Sequence, residues 1–350
     1  MKRLIIAIII GLIAGGLCSL LYDRHISPND NYFAAATKKS DSWAEKLRAE
    51  SQEPCYIFTG CSEVRMGIDP AIMLNEYGVR AINAGGQAGY GFACNTVLGL
   101  SYLQQGDHLM VSIRGTYLPE SGGIDPRGLK FCWRILGASM FDNNILHFNV
   151  KTFKEIILNN SGEISLFLVK ALTTPNNIYK YDHDTVILDS GWCENNIKVP
   201  LSGTAYAPAE KINVHFRDDL KSLLLKLKEE CRKRGAHMSL YLFTNFSNDT
   251  VKPYMILTAM SYMEAGLSVL KDETFGVEPD ISCFADSPSH LSTKGTIKQS
   301  RRVAESISLN KYWTMEELEE ELRRCGYNKD GSRIRPIYDP RDDIFFTNFK

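Results

Sequence analysis

The chain alternates between short apolar runs and amphipathic segments over most of its length. "CYIFTG" (55–60) is an apolar run that stops at a glycine, and "VRAINAGG" (79–86) is a second run that enters a glycine-rich loop. "HLMVSI" (108–113) is a third, following the turn at Gly106-Asp107, and "MSLYLF" (238–243) is a fourth. Runs of this length bounded by turn residues predict buried strands. Between them lie helical patterns. "AIMLNEYG" ends at Gly78, "NTVLGLSYL" covers 95–103, and "RDDLKSLLLKLKEECRKRG" (217–235) has acids at its start, bases at its end and Gly235 as its stop. A last helix follows Thr314, with Glu317 completing a capping box and Gly326 ending it. Strand–helix alternation of this kind predicts an α/β fold, a mostly parallel sheet covered by helices on both faces in three layers. Ligands of such sheets bind outside the carboxyl ends of the strands. Gly60, Cys61 and Ser62 stand at one such end.

Two stretches break the rhythm. Residues 115–215 carry aromatic, glycine and proline turn signals ("GTYLPESGGIDPRG", "LTTPNNIYKYDHD", "SGWCENN") with few clean periods, and are expected to be a large insertion forming a cap or side wall. At the other extreme, "LIIAIIIGLIAGGLCSLLY" (4–22) has no charge at all. A helix of about 19 residues approaches the ~30 Å hydrocarbon core of a bilayer. Lys2 and Arg3 precede it, so the expected topology is a single-pass signal anchor with everything after Tyr22 exported. A cleaved signal peptide is the rival, but Ala34-Ala35-Ala36 lies far downstream for a cleavage site. The polar segment 23–50, helical near Ser42–Glu50, is expected to be a stalk, and 51–350 the globular domain.

Composition narrows the function little. The 350 residues are 44% hydrophobic and 23% charged with a formal net charge of −1, so overall charge gives no case for nucleic acid binding. The nine cysteines show neither a CxxC unit nor a zinc spacing, and no metal is expected. Gly85, Gly86, Gly89 and Gly91 in "INAGGQAGYG" match neither dinucleotide nor P-loop spacing, so no cofactor is expected.

Chemistry is best sought at Ser62. A serine opening a helix after a strand-end glycine presents its own backbone N–H to a developing oxyanion, although a serine there also serves as an ordinary helix N-cap. A base is then required. Among seven histidines, His290 in "FADSPSHLSTKG" stands out because Asp286 precedes it by four residues and could fix its tautomer. Ser287-Pro288 resembles an N-cap and first helical residue, which would put His290 in a first turn where the dipole keeps it neutral. "YDHD" (Asp182, His183, Asp184) is a weaker, metal-like cluster, and Cys61 or Cys55 with His290 would make a cysteine enzyme.

Taken together, "GCSEVRMGID", "NAGGQAG" and "DSPSHL", in that order and at strand ends, resemble the first, second and fifth blocks of the SGNH hydrolase (GDSL esterase) superfamily. They look most like its membrane-anchored bacterial members linked to O-acylation of cell-surface polysaccharides. The resemblance spans about 52–114 and 215–308. It implies a flavodoxin-like doubly wound sheet, Ser62 as nucleophile, His290 as base and Asp286 as its partner. It also implies oxyanion donors at Ser62 and Gly89, with Gly86 as the alternate. The implied activity is that of an extracytoplasmic serine esterase or O-acyltransferase acting on an acylated carbohydrate or lipid-linked glycan at the bacterial inner membrane, on its periplasmic side. A membrane acyltransferase is an expected partner. Two departures stand out. The third block's asparagine is absent from "SIRGTYLPE", where Arg114 could support the oxyanion, and Asp-x-x-His becomes Asp-x-x-x-His. They leave an alternative, a catalytically weak or inactive glycan-binding or assembly component of the same fold that works with a membrane acyltransferase.

Overall fold

The computed structural model describes residues 28–113, 125–147 and 185–334, with the single position Gly11. The apolar segment 4–22, Arg114 and the Asp182–Asp184 cluster lie outside the described residues. Among the described residues no helix is long and apolar enough to cross a membrane.

In chain order the elements are α1 (Pro28–Glu50), β1 (Tyr56–Thr59), α2 (Ser62–Gly67), α3 (Pro70–Tyr77), β2 (Ala81–Asn83) and α4 (Phe92–Ser101). Then come β3 (His108–Ile113), α5 (Pro126–Leu136), β4 (Thr185–Ile187), β5 (Cys193–Asn195), α6 (Asp218–Lys233) and β6 (His237–Leu242). The series closes with β7 (Asn245–Phe246), α7 (Lys252–Glu264), β8 (Val277–Glu278), α8 (Thr293–Ser308) and α9 (Met315–Arg324). The central sheet has the order β2-β1-β3-β6 and every pairing in it is parallel. The protein is therefore α/β with a parallel central sheet.

Alternate strand residues feed two cores. Ile57, Leu109 and Leu240 join a cluster with Phe33 and Leu47 of α1, Val97 of α4 and Leu224 of α6. Phe58, Met110 and Tyr241 join a second cluster with Met73 of α3 and Val303 and Ile307 of α8. Side chains alternate across a pleated strand, so a strand apolar at every position is buried on both faces. Helices thus cover the sheet on either side.

The segment 28–50 is not a free stalk. It is one continuous helix, and Phe33, Ala36, Ser40, Ala44 and Leu47 are buried along one stripe. Trp43 Nε1 donates to the carbonyl of Ala81 at 2.9 Å, fastening α1 to β2. The end of the expected insertion also joins the core: β4 and β5 form an antiparallel hairpin whose Trp192 and Cys193 are buried.

Candidate active site

The site is built where β1 ends. A side chain at Gly60 would place its Cβ 2.5 Å from Val64 Cγ2 and 2.9 Å from Ser112 Cβ, so only glycine lets the strand turn this tightly against β3. The carbonyl of Cys61 then accepts from the amides of Val64 (3.0 Å) and Arg65 (3.3 Å) and starts α2, with Ser62 as its first residue. Ser62 is 8% exposed, and its Oγ lies 2.8 Å from His290 Nε2. His290 Nδ1 lies 2.8 Å from Asp286 Oδ1. A carboxylate accepts, so Nδ1 carries the proton and Nε2 is left as an acceptor for the Ser62 hydroxyl. The three residues form one hydrogen-bonded chain, with the Asp286 side chain only 2% exposed.

The loop carrying Asp286 and His290 is a tight β-turn, not a helix start. The amide of His290 donates to Ser287 O (3.2 Å), the amide of Ala285 donates to His290 O (2.8 Å), and Phe284 bridges Leu291. Pro288 takes the second turn position, where its fixed φ is favoured. Helix α8 begins only at Thr293. The expectation of His290 within a first helical turn is therefore wrong, and the dipole argument for its neutrality goes with it. The extra residue in Asp-x-x-x-His is absorbed by this turn, whose two sides bring Asp286 and His290 into contact.

Three residues that sequence reasoning gave no role hold the serine in place. Asn83 Nδ2 donates to the carbonyls of Val64 (2.9 Å) and Ile68 (2.8 Å), closing the carboxyl end of α2. The guanidinium of Arg65, 1% exposed, donates to Gly85 O (2.6 Å), Ser40 Oγ (2.7 Å), Gly191 O (2.9 Å) and Asn83 O (3.0 Å). Asn195, fully buried in β5, donates through Nδ2 to Asp286 Oδ1 at 2.8 Å. Asn83 lies inside the "INAGG" motif, and Asn195 in a stretch that carried only turn signals.

The oxyanion donors are partly revised. The Ser62 amide opens α2 and has no intrahelical carbonyl to bond. The Gly86 amide donates to Gly60 O at 2.9 Å, so this alternate donor is already committed. Gly89 is exposed, in the 3-10 turn Ala88–Tyr90. Arg114 is outside the described residues. The cysteine alternative finds no geometry: the Cys61 thiol hydrogen-bonds the buried Glu63 carboxylate, and Cys55 lies at the far end of β1, where its amide is held by Asp107. All eight described cysteines are free thiols.

Of the other histidines, His108 is part of the opposite end of the sheet. It stacks on Tyr56 (5.5 Å) and bonds Ser239 Oγ through Nε2 (2.9 Å). Burial, with His237 nearby, pulls its pKa down to about 4. Among the described residues no three His, Cys, Asp or Glu side chains gather as a metal site would require. The arrangement at Ser62 can do one kind of chemistry: a hydroxyl with a base on it and an acid orienting the base. Comparison with protein-family models, with curated proteins and with solved structures finds no match.

Proposed function

We propose that the protein is an extracytoplasmic serine esterase or O-acyltransferase of SGNH type, anchored by residues 4–22 and acting on ester groups of a cell-surface carbohydrate. The observation that carries this reading is the Ser62–His290–Asp286 chain, with both contacts at 2.8 Å. In the reaction Ser62 Oγ attacks the ester carbonyl while its proton passes to His290 Nε2. Asp286 holds the resulting imidazolium. The amide of Ser62 and that of Gly89 receive the oxyanion. Collapse of the tetrahedral intermediate breaks the bond to the alkoxy oxygen, which leaves as an alcohol with the proton from His290. Water or a sugar hydroxyl then gives its proton to His290 and attacks the acyl-serine; collapse of that second intermediate breaks the bond to Ser62 Oγ, which takes the proton back from His290. Carbohydrate as acceptor, the periplasmic location and a membrane acyltransferase partner follow from the resemblance of the three motifs.

The test is turnover of p-nitrophenyl acetate and of an O-acetylated polysaccharide by wild type and Ser62→Ala. Loss of turnover with an unchanged unfolding curve supports the reading, and unchanged turnover sinks it. Two observations favour a second reading, a non-catalytic glycan-binding component. The Gly86 amide is committed to Gly60, and the third-block asparagine is absent. One missing oxyanion donor costs about 10²–10³ in rate. That reading predicts polysaccharide binding that is untouched by Ser62→Ala, in a protein without turnover.

A further inference from the structure

We infer that Asn195 is a positioning residue for this reaction, holding the Asp286 carboxylate at the orientation in which it receives His290; the inference rests on the serine-hydrolase reading above. Asn195 is fully buried and comes from the β4–β5 hairpin, remote in sequence from every motif of the site. Its Nδ2 lies 2.8 Å from Asp286 Oδ1, the same oxygen that receives His290 Nδ1 at 2.8 Å. The direction of the amide is fixed independently. Asn195 Oδ1 accepts from the amide of Ile197 at 3.2 Å, and a backbone N–H can only donate. The oxygen must therefore face Ile197 and the NH₂ must face Asp286.

This contact does what the turn around Pro288 cannot do alone. Rotation about χ2 of Asp286 would swing Oδ1 away from the imidazole. Two donors on one oxygen favour the orientation in which Asp286 receives His290. The hairpin is fastened to the elements on either side of the site as well. Lys198 Nζ donates to Phe284 O (2.9 Å), Thr293 Oγ1 donates to Glu194 Oε1 (2.6 Å), and Trp192 Nε1 donates to Met66 O (3.0 Å) behind the nucleophile. An amide is required at the position. An aspartate there would set a second carboxylate against Asp286, and an alanine would leave Oδ1 with one donor fewer in a buried place.

The experiment uses the full chain with Asn195→Ala and the isosteric Asn195→Asp, beside Ser62→Ala. Steady-state kinetics on p-nitrophenyl acetate and the far-downfield proton NMR resonance of the His290–Asp286 hydrogen bond are both read. Loss of one hydrogen bond to a charged group predicts a fall in kcat of about 10- to 100-fold. KM should stay within about twofold, since Asn195 is buried away from substrate, and the downfield resonance should be lost or broadened. If Asn195→Ala unfolds, Asn195→Asp, which keeps the volume, is read instead: its second carboxylate beside Asp286 should lower kcat by at least as much and also remove or broaden the resonance. Wild-type kcat and an intact resonance in a folded variant overturn the role of Asn195. Turnover that survives Ser62→Ala sinks the hydrolase reading instead, and the resonance then still decides whether Asn195 orients the Asp286–His290 pair.

Discussion

Arg65→Ala should unfold the site's foundation before it touches any catalytic group. Arg65 lies three residues after Ser62 and is almost wholly enclosed. Its guanidinium ties three separate pieces of chain together: Ser40 of α1, the carbonyls of Asn83 and Gly85 at and just past the end of β2, and Gly191 in the hairpin that carries Asn195. Burial lowers its pKa from the ordinary arginine value, but arginine starts so far above neutrality that the charge persists. Two effects oppose each other on truncation. Removing the charge lifts a desolvation penalty of several kcal/mol. Against this, three carbonyls and a hydroxyl lose a charged donor inside the protein, at about 1–3 kcal/mol each, and the vacated volume adds a cavity term. We expect the second effect to win by about 3 kcal/mol, the lost hydrogen bonds and the cavity together outweighing the desolvation that is returned. In a domain of this size that corresponds to a fall in Tm of roughly 6–12 °C. Thermal unfolding followed by circular dichroism measures it. Arg65→Lys keeps the charge but loses the planar fork, so it should recover less than half of the loss. A Tm within about 2 °C of wild type for Arg65→Ala would refute the reasoning, since it would mean that desolvation cancels the whole network.

Other expectations are more local. Gly85→Ala would put a Cβ 2.4 Å from the backbone nitrogen of Arg65, so it should destabilise by the upper part of the about 1–3 kcal/mol typical of overpacking, as denaturant titration would show. Asp286→Ala removes the acceptor that fixes the His290 tautomer and holds its imidazolium, and should lower kcat by about 10⁴, measured on any activated ester. His108 gives the protein an acid-sensitive step. Its folded pKa is about 4 against an ordinary 6.5, so the unfolded chain takes up the proton first as pH falls. The contribution is complete above pH 6.5 and is lost between 6.5 and 4, amounting to about 3 kcal/mol. His108→Gln should flatten that part of the stability–pH curve, and an unchanged slope would remove His108 as its source.

The sheet was legible because a parallel strand is buried on both faces and shows as an uninterrupted apolar run. Helices α3 and α9 announced themselves through local chemistry: Gly78 at φ +67° after α3, and the Thr314–Glu317 capping box before α9. Helix α1 was harder. Its buried stripe, Phe33, Ala36, Ser40, Ala44 and Leu47, has helical spacing but consists mainly of small residues, so the many charges on the other face dominated the reading. Ser62, His290 and Asp286 could be picked out because each sits in a short motif at a strand end or turn. The serine N-cap signature at Ser287 misled because a Pro288 β-turn and a helix start share the same first residues. Asn195 left no signal, since a contact between a hairpin and a distant turn has no local spacing. The oxyanion donors suffered similarly, because a backbone amide is free or committed according to tertiary contacts that side-chain identity does not record.

The most direct test of the central claim is labelling with a fluorophosphonate, which reacts only with a serine activated by its neighbours. Intact mass and peptide mapping of the full chain should give a single adduct on Ser62, slowed by His290→Ala and abolished by Ser62→Ala. No adduct on the folded wild-type protein, or an adduct that persists at the same rate without Ser62 or His290, would contradict it.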